Sequence, residues 1–494
     1  MVKLKHKLLY LYPDNYLEEK IMPKKVFTIL FAALIILSLV MTACAPKPPV
    51  VEEPEEVEEP VVVEEPEEEE EEEAEVVEEP MMDLSGTTIQ FWHVYGEGDP
   101  RNEAMVAIVD AFNANNEYGI TVEALDQGQY SDVEDKVNAG IQSGDLPQVV
   151  QAYTSALNNW NTVDLVVDLN PFVSDPDYGL TEDEIADIYP AVFNLGVNES
   201  GARLAWPFSQ SANALVYNFT WAQELGFDAA PATPEELKAQ LCAAAEANAA
   251  DDNPDNDGTG GMVWYASSSN FLGFVHAFGG QLMNADGTAY DFNTPAAKAA
   301  ALYVNDLRDS GCTFETESYP NPEQANRLAL VTISSTSGLK YYGYAFSDAE
   351  NDDEWGFLSF PGPDGGQGMV AWTQTLGVLK STPEQEMASW IFTKYLTTPE
   401  NQAAWILASG YLPTQYSTEG MLTDYVASVP QYQSTMAIAA LGQAEPETFT
   451  AWNSVRRAFG DAAAQLYVAT TSEEVDAILA ELNVTAAELV AEIE

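Results

Sequence analysis

Past residue 83, apolar positions fall into short alternating runs separated by longer runs with helical spacing. Residues 87–92 read as a strand, and residues 102–113 carry a helical stripe through Ala104, Ile108, Ala111 and Phe112. Residues 120–124 alternate as a strand does, 130–140 read as a helix, and 148–152 as a strand again. Such alternation implies a largely parallel sheet in an α/β fold. Further helices are expected over Pro234–Ala250, 295–310, Pro383–Leu396 and Pro399–Ser409. Each opens on Pro behind a Thr (Thr233, Thr294, Thr382, Thr398), a capping residue followed by one whose fixed φ suits the first turn. No internal repeat is evident.

The first 82 residues have a different texture. Met22, Lys24 and Lys25 precede an apolar run over 26–40, broken only by Thr28 and Ser38, and small residues then lead to Cys44. This is the layout of an export signal over 1–43, with Met22 the expected start. The run is short for a membrane span, which needs about 20 residues. Met41-Thr42-Ala43-Cys44 resembles the lipobox of bacterial lipoproteins, in which the Cys is diacylated. An uncleaved membrane anchor is the alternative, and both readings tether the remainder outside the cytoplasm. Residues 45–82 are Pro, Val and Glu apart from Ala45, Lys47, Ala74, Met81 and Met82. Such a chain buries too little apolar surface to offset its ordering entropy. It is expected to be an extended tether reaching roughly 120 Å at about 3.1 Å per residue.

Charge changes the picture of partners. The 494 residues hold 79 acidic and 19 basic side chains, a formal net of -60. Residues 1–80 contain 21 of those acids and 7 of the bases, so the remainder carries 58 against 12, a net of −46. Nucleic acid is thereby excluded as a partner, since phosphate binding needs clustered Lys and Arg. Solubility and mutual repulsion are the simpler reading of this acidity, a cation-attracting surface the sharper alternative. Three His and three Cys leave little room for a zinc cluster. No Walker loop, GxSxG elbow or HExxH occurs. Acidic pairs are so abundant that none singles out a glycosidase site. The spacing of Asn253, Asp255 and Asp257 before Gly258 is that of a calcium loop, but Trp264 stands where a bidentate Glu belongs. A solvated Asx turn is the simpler reading. With Cys44 lipidated, Cys242 and Cys312 remain to pair in an oxidising compartment, the alternative being two buried thiols.

Several motifs then converge. Trp206-Pro207-Phe208 with Tyr217-Asn218, Phe292-Asn293-Thr294-Pro295, the stretch from Leu328 to Leu339, the stretch from Phe357 to Pro363, and Pro399-Glu400-Asn401-Gln402 with Trp405 and Gly410-Tyr411-Leu412-Pro413 occur in order. Together they resemble extracellular solute-binding protein family 1, the substrate-binding lipoproteins of ABC importers, over about residues 87–470. The resemblance implies a periplasmic-binding-protein-like fold: two α/β lobes joined by hinge strands, closing on ligand in the interlobe cleft. One lobe would comprise 83–207 plus 371–412, the other 208–370 plus 413–494. It also implies capture and delivery to membrane permease subunits, with no catalysis and no cofactor.

The similar binders take glycerol 3-phosphate or malto-oligosaccharides. The Trp and Arg that the glycerol-phosphate type uses have no counterpart in Tyr265–Phe274 or near Thr448. In contrast, Trp452, Asn453 and Arg456 resemble the maltose-binder segment whose Trp stacks on a sugar ring. Sugars present apolar C–H faces and hydroxyl rims, so their sites combine flat aromatics with small polar groups. Candidate aromatics are Trp92, Tyr95, Tyr130, Tyr153 and Trp372. Candidate polar partners are Gln129, Ser209, Gln210, Ser211, Ser334, Ser335 and Thr373. Trp206, Trp390 and Trp405 read as core, Trp92 as core or cleft, and Ser334 and Ser335 as helix caps or cleft residues. Carbohydrate is therefore the expected solute.

The anchor has a direct check. Cys44→Ser should release the protein from membranes or leave it uncleaved, as read by fractionation and lipid labelling. Unchanged processing and labelling would refute lipidation.

Overall fold

The computed structural model describes residues 82–316, 319–447 and 449–493. The expected export signal, Cys44 and all of the linker but Met82 lie outside the described residues. Twelve strands are named in chain order: β1 (Thr88–His93), β2 (Thr121–Asp126), β3 (Val149–Ala152), β4 (Trp206–Asn218), β5 (Gly260–Val263) and β6 (Thr313–Phe314). They continue as β7 (Ala329–Ser335), β8 (Trp355–Leu358), β9 (Phe360–Pro361), β10 (Gln367–Gly368), β11 (Val370–Val378) and β12 (Gln443–Ala444).

β1 pairs in parallel with β2 and β3, and β5 pairs in parallel with β6 and β7. Between these halves run β4 and β11, antiparallel to each other and to their outer neighbours β7 and β3. The order is β2-β1-β3-β11-β4-β7-β5-β6, with β12 beside β11 and β8 beside β4. Among the described residues the fold is thus two α/β lobes that share the long strands β4 and β11, as the hinges of a two-lobed binding fold require. The register of that pair slips between Gln374 and Thr375, a bulge that bends the hinge locally.

The local elements form where the pattern places them. The helices Pro234–Ala250, Pro383–Leu396 and Pro399–Ser409 have the expected bounds, and those at Pro100–Asn115, Tyr130–Ser143 and Pro295–Asp309 differ by a few end residues. Thr233, Thr294 and Thr382 accept the N–H of Glu236, Ala297 and Gln385. Thr398 instead donates its hydroxyl to the Tyr395 carbonyl, because the preceding helix ends only two residues earlier. The Tyr130–Ser143 helix stops at Gly144, whose φ of 81° a side chain would strain.

Three apolar cores result. One holds β1, β2 and the Trp390–Trp405 helices, and it extends beneath the hinge strands to Tyr342, Trp355 and Tyr432. A second lies in the other lobe under β5 and β7 and includes Phe271, Phe459 and Leu479. A third, around Trp160, covers the opposite face of the first sheet half. Trp206, Trp390 and Trp405 are all buried, and Trp206 meets Trp390 edge to face at 5.1 Å. Among the described residues, no helix is long and apolar enough to cross a membrane.

Cys242, in the Pro234–Ala250 helix, and Cys312, ahead of β6, are joined by a disulfide spanning 70 residues. Both thiols should resist alkylation in unreduced, denatured protein. In the chain-entropy model, reduction should lower stability by about 4 kcal/mol, measurable by denaturant titration with and without reductant.

Candidate functional site

Parallel strands aim their carboxyl ends at the seam between the lobes, where ligands of open α/β sheets bind. From the first lobe this brings Tyr95 after β1, Gln129 and Tyr130 after β2, and Tyr153 after β3. Gln151 of β3 organises them: its Nε2 donates to the hydroxyls of Tyr95 and Tyr130, the latter at 3.1 Å. The Tyr130 and Tyr153 rings pack at 4.6 Å between centroids. Burial pushes both hydroxyls above the ordinary tyrosine range, so they remain neutral donors.

The floor is the hinge. Gln374 of β11 accepts from Tyr95 Oη at 3.3 Å and from Ser209 Oγ at 2.7 Å, while its Nε2 donates to Tyr411 Oη at 2.6 Å. Ser211 and Thr373 are buried on the paired strands, and Gln210 exchanges backbone bonds with Leu412. One chain of hydrogen bonds thus runs from the first lobe's wall into both hinge strands.

The second wall centres on Glu445, only 4% exposed. Its Oε1 accepts from Ser269 Oγ at 3.0 Å and Trp372 Nε1 at 3.2 Å. Its Oε2 accepts from Trp452 Nε1 at 3.1 Å and Arg456 Nε at 2.6 Å. Arg456 Nη2 also donates to Ser269 Oγ at 2.8 Å. Every acceptor direction of this carboxylate is filled, the condition under which a buried charge is tolerated. Glu447 lies beside it, and burial together with Glu445 pushes its carboxyl up to about 8 against the pull of Arg456 and the Thr154 N–H.

The walls meet around this site. Asn158 Nδ2 donates to the Glu447 carbonyl at 3.1 Å, and Asn453 Nδ2 to Glu134 Oε2 at 3.2 Å. Arg101, paired with Asp99 at 2.5 Å, donates to Tyr341 Oη at 3.0 Å.

Not every candidate takes the place the sequence suggested. Trp452 was expected to offer a ring face for stacking, but it is 1% exposed, stacked on Tyr290 at 5.9 Å and lodged in the second core. Its helix begins at Trp452 itself, and this turns the ring inward. Trp372 keeps part of its surface exposed. Trp92 is buried in the third core, as one of its two readings held. Ser335 caps the turn after β7 by accepting from Ser337 N at 3.3 Å, and Ser334 remains half-buried next to it. Gln129 is exposed at the start of its helix. Asn253, Asp255 and Asp257 form a solvated turn, with Asn253 Oδ1 accepting from Asp255 N at 3.2 Å. Among the described residues, no group of three or more His, Cys, Asp or Glu is placed to hold a metal. Glu445, Glu447, Gln151 and Gln374 were missed. Gln151 interrupts an apolar strand, and Gln374 lies in a polar Thr-Gln-Thr step of an otherwise apolar one, signals that could have found them.

The family described as bacterial extracellular solute-binding protein matches residues 107–432. A putative binding protein of Brucella abortus (strain 2308) is 23% identical over 318 residues, covering 62% of this chain and 75% of its own. Among solved structures, the cyclic alpha-maltosyl-1,6-maltose binding protein of Arthrobacter globiformis aligns with a TM-score of 0.68 at 22% identity, over 82% of this chain and 99% of its own. UgpB of Mycobacterium tuberculosis, in complex with glycerophosphocholine, aligns with a TM-score of 0.69 at 18% identity, over 83% and 99%.

The two indoles should separate on substitution. Trp452→Ala should cost about 3–5 kcal/mol of stability, as for any large core ring. Trp372→Ala, at a half-exposed position, should cost clearly less. Thermal melts of both variants check this, and equal losses would contradict the assignment.

Proposed function

The chain belongs to the bacterial extracellular solute-binding proteins, and from that premise we propose that it captures a carbohydrate and delivers it to the permease subunits of an ABC importer. The observation that carries this reading is the lining of the cleft. Tyr130, Tyr153 and Trp372 supply flat rings, while Gln151, Gln374 and Ser209 supply an ordered set of amides and hydroxyls. Rings for C–H faces and small polar groups for hydroxyls are what a sugar needs. Trp372 is the proposed stacking platform, with Asn453 and Arg456 at the rim. The lobes are taken as 83–207 plus 371–412 and 208–370 plus 413–494, closing about β4 and β11. A lipid on Cys44 would hold the protein at the extracytoplasmic face of the membrane.

A phosphorylated solute fits less well. Arg101 and Arg456 are each engaged by a carboxylate, at 2.5 and 2.6 Å, so a phosphate would have to displace an existing ion pair. A glycosidase fits less well still. One of its carboxylates must attack or activate water, whereas all four acceptor directions of Glu445 are in use. No cofactor enters this reading.

The test is a thermal-shift screen of the purified protein against mono- and oligosaccharides, polyols and glycerol phosphates. A saccharide at 100 times its dissociation constant should add about 2.7 kcal/mol of stability, and it should be recovered unchanged. Stabilisation by glycerol phosphates alone would refute the carbohydrate reading, and product release would refute the binding-protein reading.

A further inference from the structure

Besides the bonds to Glu134 and the Glu447 carbonyl, a second bridge between the lobes is built from different elements. Asp99 and Arg101 open the Pro100–Asn115 helix that follows β1, and Tyr341 lies in the Leu339–Asp348 helix that follows β7. Arg101 donates through Nε and Nη2 to the Asp99 carboxylate, and Nη2 also donates to Tyr341 Oη at 3.0 Å. Tyr341 Oη in turn donates to Asp99 Oδ2 at 3.2 Å, which closes the ring of contacts. Asp99 also caps its helix by accepting from Arg101 N at 2.9 Å, so the pair is fixed by the backbone as well.

The guanidinium so held lies against two rings, 5.2 Å from the Tyr95 centroid and 5.7 Å from that of Tyr341, a cation–π arrangement with both. Tyr95 is wholly buried, whereas Tyr130 and Tyr153 each keep part of their surface. His93 and Trp405 also pack on Tyr95, at 5.7 and 4.8 Å, and both are buried themselves. The Arg101 side chain is 23% exposed. Arg101 is therefore the surface layer over the Tyr95 ring, and its charge is already spent on Asp99. It acts there by occupying space, not by attracting an anion.

We propose that Arg101, held by Asp99 and Tyr341, is the end-stop of the solute site, and that it restricts the captured carbohydrate to one or two sugar units. This rests on the carbohydrate reading and narrows it to short saccharides. A sugar ring stacks its C–H face on one aromatic platform. The Tyr130 and Tyr153 rings, packed at 4.6 Å, make one such platform, and Trp372 makes the other. Tyr95 would be the third, and Arg101 covers it. The bridge to Tyr341 also ties the lobes together at that point, where a longer chain would have to pass between them.

The experiment is calorimetric titration of the full chain with gluco-, xylo- and manno-oligosaccharides of one to four units. Affinity should be highest at one or two units of the best series and about tenfold weaker or worse at four. Arg101→Ala should remove that loss, strengthening four-unit binding by about tenfold while leaving single-unit binding unchanged. Tyr341→Ala keeps the Asp99–Arg101 pair and should relax the length preference in the same direction, which decides the question if Arg101→Ala does not fold. Four units bound as tightly as two by the unsubstituted protein, or folded variants that keep its length preference, would overturn the end-stop and leave the carbohydrate reading standing. Absence of binding across all three series would overturn the two together.

Discussion

The second wall of the cleft depends on a single buried carboxylate. An unpaired ion at the position of Glu445 would be prohibitively costly, and four donors from three elements remove that cost. They come from hinge strand β11, from the Ser268–Ala277 helix and, twice, from the helix that starts at Trp452. Because both indole N–H groups end on one carboxylate, the two rings cannot be set independently. Trp452 is locked in the core, and through Glu445 its position fixes where Trp372 stands on the hinge. A core residue and a cleft residue are thus joined by one side chain.

The first wall uses amides for the same purpose. Gln151 and Gln374 each bridge two tyrosine hydroxyls, and Gln374 also accepts from Ser209 across the hinge pair. Amides carry a donor and an acceptor at once, so they link hydroxyls without a net charge, although Gln151 Oε1 itself has no hydrogen-bond partner among the described residues. The polar order these two amides build is therefore neutral, while Glu445 and Arg456 set a buried charge pair in the second wall. Gln374 sits beside the register slip in β11, so a change of hinge geometry would reach Tyr95 and Tyr411 directly.

Much of the fold was legible because local rules agreed with one another. Thr-Pro starts, helical stripes and short apolar strands all pointed to the elements that form, and ordered motifs pointed to the two-lobed family. The site was legible in part. Tyr95, Tyr130 and Tyr153 follow strand ends, and that placement is a topological consequence of parallel strands. Trp452 was misplaced because stacking residues and core residues share one composition, and only the start of its helix decides which way the ring turns. Glu445 and Glu447 were invisible for a statistical reason: in a body with 58 acids, no spacing distinguishes two that face inward. Burial marks out Glu445, with the half-buried Glu447 beside it, and burial is a property of the folded chain.

The bonds that span the cleft bear on what closes it. Arg457 is 74% exposed along its side chain and 3.7 Å from Glu134, a pair of the kind worth at most about 1 kcal/mol. The Asn453–Glu134 and Asn158–Glu447 bonds add modest net terms, about 1 kcal/mol each by the usual exchange with water. Against these stands the desolvation of Glu447, which burial leaves with a carboxyl that resists ionisation. Each of these bonds is individually modest, so the open–closed equilibrium expected of two hinged lobes does not hang on any one of them. A ligand shifts such an equilibrium only through its differential affinity for the closed form.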